Sequence, residues 1–227
     1  MRRRGFCILF ASVLIGVGQD AIAADVTFGF EGRLVQVAGP NGLAVGDGFT
    51  GSFSYTLEQT GANVPLIIPG QMTRYALGSY SVTVGGQRAT STGGTISIAN
   101  DNLPYPNAPY VVWDSMELHP GPYAGGVVIG SINGVPVSDF LFFLVNTEGQ
   151  PFSDTSLPGN LALSDFPTRQ MHVMFANGGG SVIGEITSLQ LIPEPSVNSL
   201  LSLVGLALVA SRCRYARFSR SCSSRSR

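Results

Sequence analysis

The chain has 227 residues, with 13 Arg, no Lys and 14 acids for a formal charge of −1, and it is 44% hydrophobic with 29 Gly and 14 Pro. That is the size of one domain with processing segments, too apolar for a disordered chain and lacking collagen's period, so a single folded body is expected. The charge is segregated: residues 24–192 hold four arginines against twelve acids, a net −8, while both ends are basic, and a body of that sign is repelled by nucleic acid and anionic lipid.

At the N-terminus, Arg2, Arg3 and Arg4 precede a short apolar core from Phe6 to Val17, and Ala21-Ile22-Ala23 supplies small residues at Ala21 and Ala23 for signal peptidase. About a dozen apolar residues fall short of the roughly 20 that span a bilayer, so residues 1–23 read as a cleaved export signal rather than a retained anchor. Cys7 lies inside the apolar core, which argues against lipid attachment there. The other cysteines, Cys213 and Cys222, lie near the opposite end, so the body has none and must be stable without disulfides. A domain of its length buries about 70% of its unfolded surface, enough for that.

Residues 24–192 read as all-β. In Phe49–Leu57, Phe49, Gly51, Phe53, Tyr55 and Leu57 alternate with Ser and Thr, the mark of a half-buried strand. The same period appears at Tyr80, Val82 and Val84, and at Ile96 and Ile98. Further strands are expected at Val26–Val37, Tyr110–Met116, Gly126–Ile132, Val137–Val145, Met171–Ala176 and Ser181–Ile192. Gly85-Gly86, Gly93-Gly94 and Asn133-Gly134 punctuate them, and Asn177-Gly178-Gly179-Gly180 reads as a hairpin joining the last two. About nine short strands and no long helical period predict an antiparallel β-sandwich or jelly-roll-like body. Phe140 to Val145 is apolar on both faces, which predicts a central strand covered on both sides, with Ser156–Asp165 supplying a short helical cover.

Little in the body announces chemistry. It holds only His119 and His172, no Cys, no Gly-x-Ser-x-Gly elbow and no nucleotide loop, so no catalytic residue, metal site or cofactor is assigned. His172 alternates with Met171 and Val173 and reads as a solvent-facing strand residue. Tyr105, Tyr110, Trp113 and Tyr123 mingle with Asp114, Glu117, His119 and five prolines between Leu103 and Tyr123. Aromatic faces stack on sugars and acids bond hydroxyls, which makes this a candidate glycan patch, although loop packing around the only Trp is the plainer reading. Asp101, Asn102, Asp114 and Asp139 offer oxygen ligands for calcium without any twelve-residue loop pattern. Two acids that meet in space would allow a glycan hydrolase.

At the C-terminus, Pro193-Glu194-Pro195 ends regular structure, Val197–Ala210 is almost wholly apolar, and Arg212, Arg214 and Arg217 begin a cluster of six arginines. This order, over residues 193–227, resembles the PEP-CTERM sorting signal of Gram-negative bacteria. The resemblance implies a transient membrane anchor with its arginines in the cytoplasm, and a membrane-embedded exosortase that recognises Pro193, Glu194 and Pro195 and cleaves near them, often in species that make exopolysaccharide. The fourteen residues Val197–Ala210 would form a helix of about 21 Å, against a hydrocarbon core near 30 Å, and the 16-residue Arg/Ser tail is longer than that of typical members. Cys213 and Cys222 are open to acylation or inert, with inert preferred. The body also resembles others found with this tail, through Phe30-Glu31-Gly32 and the run Val45 to Phe53. The expectation is an exported cell-surface or matrix protein, structural or polysaccharide-binding, with glycan hydrolysis as the alternative.

Overall fold

The computed structural model describes residues 24–65, 70–102, 113–148 and 151–193. The expected signal and C-terminal hydrophobic helix lie outside the described residues. Inside them the chain is all-β: β1 (Asp25–Ala38), β2 (Gly48–Thr56), β3 (Ala62–Asn63), β4 (Gln71–Ala76), β5 (Ser79–Val84), β6 (Gln87–Thr92), β7 (Thr95–Asn102), β8 (Trp113–His119), β9 (Val127–Ile129), β10 (Ser131–Ile132), β11 (Val135–Asn146), β12 (Thr168–Phe175) and β13 (Ser181–Ile192). Two 3-10 turns, Pro122–Ala124 and Leu163–Asp165, interrupt the loops.

All thirteen strands join one antiparallel sheet in the order β3-β4-β7-β8-β11-β12-β13-β1-β2-β5-β6-β9, with β10 paired to β11. Gly130, at φ 127°, bends the chain between β9 and β10. One side of the bend therefore pairs with β6 and the other with β11, which curls the sheet back on itself. The Asn177–Gly180 hairpin joins β12 to β13 as expected, with Asn177 at φ 54° and Gly178 at φ 77°. The first and last strands are neighbours, and Thr27 stands opposite Ile192.

The curl brings the inward faces together. Phe28, Phe30, Phe53, Tyr80, Phe140 and Phe142 are all 1% exposed or less. Phe30 of β1 meets Phe142 of β11 with ring centroids 5.2 Å apart, and Tyr80 of β5 meets Phe140 at 5.1 Å, contacts that cross the interior between strands distant on the sheet path. Burying such rings supplies roughly 2–3 kcal/mol each, the main term available to a domain without disulfides.

β11 is central, as expected, with β8 and β12 beside it. Among the described residues the expected cover on its second face is not there. The segment after β11 packs on the inner side instead: Leu157, Leu161 and Phe166 are buried in the core, the Tyr55 hydroxyl donates to the Pro158 carbonyl, and the Tyr75 hydroxyl donates to the Thr155 carbonyl at 2.7 Å. The helical turn exists at Leu163–Asp165, but inner-face aromatics hold the segment where it closes the interior. Burial holds the Tyr55 phenol well above its ordinary range.

Candidate functional site

The uncovered face of β11 is the most chemically varied surface among the described residues. Phe140, Phe142 and Leu144 point inward and are fully buried, so Leu141, Phe143 and Val145 point outward, where they are half-buried. The neighbours follow the same alternation. In β8, Met116 and Leu118 face the core while Glu117 and His119 face out. In β12, Met171 and Val173 face the core while Gln170 and His172 face out.

Register then lines up the outward residues. Phe143 stands opposite Glu117 on one side and Gln170 on the other, and Leu141 stands opposite His172. The His172 ring lies 5.2 Å from Phe143 at an interplanar angle of 70°, and the His119 ring lies 6.4 Å away at 89°. Glu117 Oε2 is 3.3 Å from His119 Nε2, and Gln170 Oε1 is 3.2 Å from His172 Nε2. An aromatic ring is thus framed by two imidazoles, a carboxylate and an amide. Burial pushes the His172 imidazole below its ordinary value of 6.5, since a charged ring against Phe143 forgoes solvation.

Asp139 lies on the same strand, tucked under the loop after β8. Its carboxylate accepts the Phe140 N–H at 2.8 Å and is packed against the backbone of Gly121. Burial raises its pKa, and the Phe140 bond and the nearby His119 pull it back down less strongly.

The expected glycan patch fares differently. Asp114 alternates with Met116 and Leu118 and is therefore interior, fully buried. Its two oxygens accept N–H groups from Asp101 and Phe152, both at 2.9 Å, so the carboxylate ties β7 to the segment after β11 and is closed to a ligand. Trp113 opens β8 and is half-buried. Tyr105 and Tyr110 lie outside the described residues, as do Ala21, Ala23, Glu194, Pro195, Arg212, Arg214 and Arg217. Pro193 follows β13 directly and is exposed.

Among the described residues no three His, Cys, Asp or Glu side chains gather to hold a metal ion, and Asp114, one of the residues considered for calcium, is already engaged. Four surface hollows of about 180–400 Å³ contain at most one acid each, so none presents the two facing carboxylates that glycan hydrolysis requires.

Phe143 and Gln170 were missed in the sequence as site residues, whereas Glu117 and His119 were named there only as part of the Leu103–Tyr123 patch. The available signal was the double-sided apolar run of β11, which fits a half-buried outward aromatic as well as a covered one. No family model matches the chain, and neither curated proteins nor solved structures match it.

Proposed function

We infer that this is an exported module, sorted through Pro193, Glu194 and Pro195 by an exosortase, whose body binds a neutral exopolysaccharide on the outer face around Phe143. The single observation that carries the binding reading is the row Glu117–Phe143–Gln170, with a histidine ring beside Phe143 on each side. A sugar's C–H face stacks on an aromatic ring, and its hydroxyls bond to planar polar groups at the ring's edges. A body of net −8 favours an uncharged chain over an acidic one. The aromatic contacts that cross the interior support a sandwich-like form for the curled sheet, in which opposite faces pack as two layers.

The export reading rests on the sequence order of Pro-Glu-Pro, apolar stretch and arginines. Among the described residues no helix is long and apolar enough to cross a membrane, and the tail lies outside them.

The test is affinity electrophoresis of the protein through gels carrying neutral or acidic polysaccharide. Phe143→Ala, an outward substitution that leaves the core side chains in place, is expected to weaken retardation by a neutral glycan about tenfold, the effect of losing roughly 1.4 kcal/mol of stacking. Unchanged retardation in the variant would remove the face from the proposal.

A further inference from the structure

A second face, formed by β13, β1, β2, β5, β6 and β9, differs in character from the one around Phe143. Its outward residues fall into rows set by register. One row reads Glu31, Thr50, Thr83, Arg88, and the next reads Gly29, Ser52, Ser81, Thr90, Ile129. A third runs from Ile192 beside Thr27 to Val127 beside Thr92.

Three properties of this face match it to itself. The first is charge. The body carries −8, yet Glu31 and Arg88 are exposed at opposite flanks of one row, about three strand spacings or 14 Å apart, and neither forms an ion pair with a described residue. The second is shape. On the β9 flank Val127 and Ile129 protrude, 57% and 65% exposed. On the β13 flank a hollow of about 300 Å³ opens over Gly29, walled by Leu191 and Ile192. The third is chemistry. Ser52 and Ser81 hydroxyls bond to each other at 3.0 Å, and Ser54 and Ser79 at 2.7 Å, while the hydroxyls of Thr27, Thr50, Thr83, Thr90 and Thr92 are left able to donate and accept across a seam with a like surface.

We propose that the occupant of this face is a second copy of the chain, stacked sheet on sheet about a twofold axis parallel to the strands. That operation lays β1 over the partner's β6, β2 over its β5 and β13 over its β9. Glu31 then faces Arg88 of the partner subunit, Ile129 of the partner subunit enters the hollow over Gly29, and hydroxyls face hydroxyls. Each contact occurs twice, as an isologous interface requires. A hydroxyl-rich centre with Glu31 set against Arg88 at each flank, and exposed Arg33 and Glu185 beyond that row, is the anatomy of a specific interface. The Phe143 face stays outward on both subunits, so the dimer stands independently of the glycan reading and would double the number of binding faces.

Sedimentation of protein recovered from the producing cells, at up to about 100 µM, is expected to show a dimer. Glu31→Arg and Arg88→Glu are each expected to raise the dissociation constant about tenfold, and the combined E31R/R88E protein to return to within about threefold of the original, because the swapped charges face each other again. Ile129→Glu, which leaves the charges alone, should weaken the dimer as much as either single change. A monomer at the highest concentration overturns the proposal. So does a dimer indifferent to the single changes, or a double variant no better than its parents. Loss of glycan retardation in E31R with no change of mass would assign the face to glycan instead and equally overturn it.

Discussion

Phe30 and Phe49 reach the core because glycines on neighbouring strands make room for them. A Cβ at Gly51 would overlap the far end of the Phe30 ring and the Ser81 carbonyl, and one at Gly32 would overlap the Phe49 ring and the Glu185 carbonyl. This gives the Phe30-Glu31-Gly32 and Gly48-to-Phe53 runs a packing role: bare backbone on one strand is the floor for a ring on the next. Gly51→Ala is therefore expected to cost about 2–4 kcal/mol, read as a lower urea midpoint with an unchanged slope, and a wild-type midpoint would refute the fit. His172 supplies a pH dependence. Its pKa is depressed by burial against Phe143, so the folded state binds the proton less readily than the unfolded chain. Its contribution to stability is complete above the ordinary value of 6.5 and declines as the pH falls from there through the folded pKa. NMR titration should place its midpoint below 6.5, and Phe143→Ala should move that midpoint upward by admitting water. A midpoint at or above 6.5 in the intact protein would remove the shielding. Asp139 runs in the opposite sense: its raised pKa makes ionisation a cost that grows as the pH rises through the folded value. At this scale the alternation Asp114, Met116, Leu118 already marked Asp114 as inward; the crowd of aromatics around it drew attention from that parity.

At the scale of elements, the strands legible in the sequence were those with bulky inward residues. Val26–Val37, Phe49–Leu57 and Ser181–Ile192 correspond to β1, β2 and β13 within a residue or two. β6 was missed because its inward positions are Ala89 and Ser91, too small to print an apolar alternation, and β4 because Thr73 and Tyr75 carry its inner face. Neighbours recruited both strands, not their own pattern. The stretch Gly126–Ile132 read as one strand and is two, since Gly130 turns it from β6 towards β11. The long connection after β11 was legible only as a segment in need of a purpose. Its assignment to the inner side depends on the Tyr55 and Tyr75 hydroxyls, whose partners lie 103 and 80 residues further along the chain, respectively. No local signal carries that information.

For the whole molecule, an all-β antiparallel body was readable from period and turns, while the order of strands was not, because β1 pairs with β13 and β8 with β11 across long stretches of sequence. The proposed sorting belongs to this scale as well. Replacing Pro193, Glu194 and Pro195 with alanines should leave full-length precursor in the membrane fraction, detected on an immunoblot as a band heavier than the released form; processing at the normal rate would refute recognition of that motif.

The placement of β13 between β12 and β1 has a consequence for the order of events in the proposed export. The first strand to leave the translocation pore pairs with β2 early but cannot acquire its other neighbour, β13, until that strand has emerged, so one edge of β1 stays open through nearly the whole passage. On that proposal closure would coincide with arrival of the tail at the bilayer, so the pairing that completes the sheet around β1 would form only as the tail becomes available for cutting.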